Sequence, residues 1–144
     1  MLLKKIIIFL FIKTINPRIK IKYDKDMFAF CFTNNTLYYN FDIIDMGFLR
    51  HMREYHKWEP QFSVMLYSLL HELGHYYMQD CIDENEIETR AYCALFPVEC
   101  VLKRPDIQNL YFNLESEFEA TEWAIQYTIE HNRKCKIFNR LIGG

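Results

Sequence analysis

A chain of 144 residues is the size of one ordinary domain and can bury a core of its own. With 51% hydrophobic residues, 25% charged residues, four Gly and four Pro, its composition is globular and not that of a disordered segment. The formal charge is −2 and Lys and Arg are spread along the chain, which argues against a nucleic-acid binder.

The first residues, MLLKKIIIFLFIKTINPR, open like a secretory signal, with Lys4 and Lys5 before an apolar run. The run is short, however, Lys13 follows it at once, and no small-x-small cleavage site precedes Pro17 and Arg18. It is also too short to span a bilayer. A buried strand or short core helix is expected there, in a cytoplasmic protein with no membrane partner. Five cysteines (Cys31, Cys81, Cys93, Cys100 and Cys135) without a C-x-x-C spacing read as free thiols in a reducing compartment.

RIKIKYD (18–24) alternates charged and apolar residues, the period of a half-exposed strand. MFAFCFTNNTLYYNF (27–41) is two aromatic-rich runs around Asn34-Asn35, a pair that tolerates the turn of a β-hairpin. After Asp42 the pattern is helical. Asp45 is placed to cap a helix running to Trp58-Glu59, and Pro60 to open the next, which continues to about Asp80. Asp83 and Glu86 form a capping box for a helix ending before Pro97. Residues 103–106 read as a turn, and Asn113 as the cap of a last helix over 114–131. The expected fold is α+β: one domain, 1–144, with a small antiparallel sheet followed by a helical bundle.

The chemistry concentrates in LYSLLHELGHYYMQD (66–80). On a helix, His71 and His75 lie one turn apart on one face, near enough to hold the same ion. Glu72, displaced around the helix, can still reach a metal-bound water. In this H-E-x-x-H spacing two neutral imidazoles ligate Zn²⁺ while the carboxylate takes a proton from water. Gly74 costs ~1 kcal/mol against Ala inside a helix, a cost explained if another backbone passes close by.

A catalytic zinc usually has three protein ligands and one open position. His51, His56 and His131 lack the short downstream spacing of a third His ligand, so a carboxylate is expected. Glu88 lies in EIETRAYCALFP, followed by Ala91; Glu117 lies in ESEFEATEWAIQY, followed by Ala120 and Ala124. Two small residues on the face of Glu117 allow close packing against the H-E-x-x-H helix, which favours Glu117. Glu88 and Glu119 stay open as alternatives.

HELGHYY followed by E-x-x-A-x-x-W-A resembles the gluzincin-type metallopeptidases, and most the ImmA/IrrE-like family. The resemblance covers about residues 60–127. It implies a zincin-like fold, His71 and His75 as zinc ligands, Glu72 as general base and Glu117 as third ligand. Members occur in bacteria, phages and mobile elements, and several cleave a repressor-type regulator, so a protein or peptide substrate is implied. Thr121 departs from the pattern, standing where many members have Asp or Asn.

For the rest of a peptidase site, TLYYN (36–40) is a candidate edge strand for substrate addition. Tyr76, Tyr77, Tyr92 and Tyr111 are candidate donors to a carbonyl oxygen. Trp58 and Trp123 read as core anchors. The expected activity is zinc-dependent peptide hydrolysis; the alternative is a regulatory binding protein on the same scaffold without turnover.

Overall fold

The computed structural model describes residues 1–42, 46–78, 83–101 and 103–143. Helix α1 (Leu2–Ile15) precedes three short strands, β1 (Lys20–Tyr23), β2 (Ala29–Cys31) and β3 (Thr36–Tyr39). Helices α2 (Met46–Tyr55), α3 (Val64–Met78) and α4 (Glu84–Cys93) follow. A single turn α5 (Val98–Val101), then α6 (Pro105–Phe112), α7 (Glu115–Glu130) and α8 (Asn132–Ile142), complete the chain. Mixed α and β structure, with the sheet near the N-terminus, agrees with the expected class.

The sheet itself departs from expectation. β2 and β3 form the antiparallel hairpin around Asn35, whose φ of 53° is the left-handed conformation that asparagine accepts. β1, however, joins β3 in parallel, giving the order β1-β3-β2 and a mixed sheet. TLYYN is therefore the central strand and not an edge. Its composition explains this: β3 carries no charge and is almost wholly buried, whereas β1 exposes Lys20 and Lys22, as an edge strand tolerates.

Helix boundaries also shifted. The proposed cap Asp45 lies outside the described residues, as does Cys81. Pro60 falls in the loop before α3, and Ser63 starts that helix, its Oγ accepting from the Leu66 N–H at 3.3 Å. Asp83 caps α4 as expected, accepting from the Glu86 N–H, but the Glu86 carboxylate does not complete the capping box and is held by Ser116 instead. Pro105 opens α6 at its first turn, where a missing N–H costs nothing. The helix expected over 114–131 is α7, which ends at His131 (φ −121°, ψ 38°); a further helix, α8, was not expected and folds back to set Phe138 against Phe11, ring centroids 4.3 Å apart. Cys31, Cys93, Cys100 and Cys135 are free thiols.

α3 is the organising element. Leu66, Leu69, Leu70 and Leu73 are fully buried in a core shared with α1, β3 and α8, each contributing about 1.5–3 kcal/mol. Tyr67, on another face, enters a second cluster with Phe48, Met52 and Phe112. A helix apolar on several faces is buried on several faces.

Its closest neighbour is α7. A Cβ added at Gly74 would lie 2.6 Å from the Ala120 carbonyl oxygen and 2.9 Å from its Cα. Those atoms are backbone and cannot swing aside, so the expected close approach is what Gly74 permits. Gly74→Ala should destabilise the protein by about 1–3 kcal/mol despite a better helix propensity. Urea denaturation measures this, and a variant at least as stable as wild type would contradict the packing argument.

Candidate functional site

His71 and His75 are buried on α3, with ring centroids 4.8 Å apart. Glu117 enters from α7, one turn before the Ala120 contact, and is 1% exposed. Its Oε2 lies 2.6 Å from His71 Nε2 and 3.1 Å from His75 Nε2, so one oxygen serves both rings.

Hydrogen bonding defines the His71 tautomer. The Thr121 hydroxyl donates to the Glu117 backbone carbonyl (3.1 Å), and so accepts from His71 Nδ1–H at 2.9 Å. In the neutral ring, Nε2 then carries a lone pair facing a carboxylate oxygen. Two acceptors at 2.6 Å need a positive centre between them, either a proton or a metal ion. Two imidazole nitrogens and a carboxylate oxygen are also a donor set that zinc accepts. Burial alone would raise the Glu117 carboxyl, but hydrogen bonds from His71 and His75 outweigh it and hold the group well below its ordinary range.

Glu72 stands beside this cluster; one ligand atom each from His71, Glu72 and His75 lie within 4.8 Å of one another. Its Oε2 accepts the Phe30 N–H at 3.0 Å, which ties α3 to the outer edge of β2. Burial pushes the Glu72 carboxyl above the usual range, opposed by the two imidazoles, supported by the Glu117 charge and opposed again by the Phe30 N–H. Glu72 opens onto a cavity of about 170 Å³, lined also by Phe28, Phe48, Ser68, His71, Tyr111 and Phe112. The Tyr111 phenol is pushed well above its ordinary range, by burial first and then by the charges of Glu117 and Glu72. It remains a protonated donor at the cavity wall.

A further layer was not foreseen from the sequence. Arg90 Nη2 on α4 donates to Glu117 Oε1 (2.9 Å) and Ser116 Oγ (2.8 Å), anchoring the oxygen that faces away from the histidines. Glu86, one turn earlier, accepts from the Ser116 N–H (2.8 Å) and hydroxyl (2.9 Å). α7 has no side-chain cap of its own at Leu114, and Glu86 supplies one from another helix. Asn113, expected as that cap, instead contacts His51 Nε2 through Oδ1 at 2.9 Å. The i, i+4 spacing of Glu86 and Arg90 was visible, but nothing local identifies partners 26–30 residues away.

The other candidates lie apart from the cluster. Glu88 is exposed on α4, and Glu119 is half-buried on α7 without a contact to either histidine. His56 pairs with Glu122 (2.7 Å). Tyr92 is exposed, Tyr77 stacks on Trp123, and Tyr76 packs against Phe30. Trp123 is half-buried between Tyr77 and Tyr127, and Trp58 Nε1 donates to Tyr67 Oη.

Glu86→Ala should cost about 1–3 kcal/mol, because it strips the buried Ser116 N–H of its acceptor and the Arg90 guanidinium of a neighbouring charge. Thermal and urea unfolding read the loss directly; a change within about 0.5 kcal/mol, the scale of ordinary surface substitutions, would remove Glu86 from the support of α7. Compared with known protein families, curated proteins and solved structures, the chain matches none.

Proposed function

We propose that this chain is a zinc-dependent peptidase with a protein or peptide substrate. His71, His75 and Glu117 hold the metal and Glu72 acts as general base. The observation that carries this reading is the shared position of Glu117 Oε2 on both imidazole nitrogens, with a second carboxylate, Glu72, at the adjoining cavity. A closed structural site has no use for that second carboxylate.

When bound, zinc would supply Lewis-acid polarisation of the scissile carbonyl and a more acidic water. The chain's residues supply the rest. Thr121 keeps the His71 tautomer with Nε2 free, and Arg90 holds Glu117 by its other oxygen. Glu72, raised by burial, takes the proton of the attacking water and delivers it to the leaving amine. Tyr111, protonated at the cavity wall, is the donor best placed for the carbonyl oxygen. An extended substrate adds along β2, the edge strand beside Glu72, in the role first assigned to TLYYN.

The resemblance to the ImmA/IrrE-like family supports a repressor-type regulator as the substrate class. Free thiols at the four described cysteines suit a cytoplasmic setting. Among the described residues no helix is long and apolar enough to cross a membrane. A regulatory binding protein without turnover is the second reading. It draws on the cavity, which at about 170 Å³ is small beside ligand sites of roughly 300–1,000 Å³.

Elemental analysis of purified protein should find about one zinc per chain, retained in Glu88→Ala and lost in Glu117→Ala. Absence of metal from well-folded wild type after zinc loading would overturn the metal site. Glu72→Gln should keep the zinc while cleavage of a proteome-derived peptide library falls at least about a hundredfold. Undiminished cleavage would remove Glu72 from the mechanism.

A further inference from the structure

Lys and Arg are spread along the chain, but Asp and Glu are not. Residues 1–22 contain six basic residues and residues 131–144 four, and neither stretch has an acid. The other seven basic residues share the middle of the chain with all nineteen acids. The fold brings the two acid-free ends together, since α1 packs against both α8 and β1. A net charge of −2 thus conceals a basic region beside an acidic body. Lys4, Lys20 and Lys22 are exposed on one part of this region, and Arg133, Lys136 and Arg140 on another.

The same region exposes apolar surface. α1 is apolar on both faces: Ile8, Phe11 and Ile12 are buried, while Leu2, Leu3, Ile6, Phe9 and Leu10 are between 45% and 72% exposed. At helical spacing those five residues occupy the arc opposite the core. α8 adds Ile137 and Leu141, each more than half exposed, across a groove of about 540 Å³ between the helices. Exposed apolar surface of this extent marks a place of interaction, because water alone is a poor partner for it.

We propose that the α1–α8 face seats this protein on the surface of an anionic lipid bilayer. Aliphatic side chains of α1 enter the interfacial zone and the surrounding Lys and Arg meet the headgroup phosphates and carboxylates. A second copy of the chain is disfavoured, because apposing two such faces sets one basic region against another. Nucleic acid would meet the charge but offers no apolar phase for Leu2, Leu3 and Leu10. The binding is to the surface, since no described helix can cross. The expectation of no membrane partner rested on the apolar run being too short to span a bilayer, which does not bear on a face assembled from α1, β1 and α8. The inference stands apart from the peptidase reading and does not use the histidine cluster.

The test is flotation of the full chain with extruded vesicles, one set pure phosphatidylcholine and one about one-third phosphatidylglycerol. Recovery with the anionic vesicles should be at least about tenfold higher, and should fall as salt rises from about 0.1 to 0.5 M. Leu3→Gln/Leu10→Gln alters only exposed positions. It should keep the wild-type circular dichroism and lose about tenfold in vesicle recovery. Lys136→Glu/Arg140→Glu should lower recovery on anionic vesicles alone. No recovery of wild type with either vesicle, or equal recovery with both, would overturn the proposal. So would sedimentation showing a wild-type dimer that Leu3→Gln/Leu10→Gln converts to monomer, because the face would then join copies of the chain.

Discussion

The contact between α3 and α7 at Gly74 and Ala120 is the constraint on which the site depends. Two helix backbones meet there without side chains between them. Glu117 and Thr121 lie on either side of Ala120 in the α7 sequence, and closeness at that point brings both to His71. A carboxylate has only two side-chain carbons with which to bridge two helices. With a larger residue at position 74 or 120, Glu117 would fall short of Nε2 or would have to leave its rotamer. The glycine is therefore part of the site's geometry, although it carries no functional group.

Closeness alone would not hold a buried carboxylate, since an unpaired charge in the interior is expensive. Glu117 has partners at both oxygens: the two imidazole nitrogens face Oε2 and Arg90 donates to Oε1. Arg90 in turn reaches Ser116, which Glu86 grips through backbone and hydroxyl. The acid that orders the start of α7 and the base that steadies Glu117 are thus one turn apart on α4. Three helices share a single polar network, and its members are useful only together.

What could be read in the sequence was what is local. His71, Glu72 and His75 share one helix, so their spacing alone indicated their geometry. Asn34-Asn35 and Asp83 act within a few residues of themselves, and both turned out as turn and cap. Glu117 was favoured over Glu88 because small residues at 120 and 124 imply a close neighbour, and close packing is a pattern a single helix displays. The strand order was hidden because β1 pairs in parallel with β3 and skips the intervening β2, and alternation does not encode partner or direction. Glu86, Arg90 and Ser116 were missed for a related reason: each looks like an ordinary polar residue until another helix arrives. The end of α7 at His131 agreed with the expected boundary, but the helix that follows was hidden: α8 turns back towards α1, a tertiary preference that no residue near the break announces.

The pairing of α1 with α8 also bears on how the chain is made. Ile8, Phe11 and Ile12 leave the ribosome long before Phe138, which covers Phe11. Until α8 is made, the inner face of α1 can rest on the nascent sheet and, later, on α3, with one flank still open. An apolar helix face that waits for its last neighbour is the kind of transiently exposed surface that promotes aggregation before folding is complete. The core thus cannot close around α1 before α8 has been made.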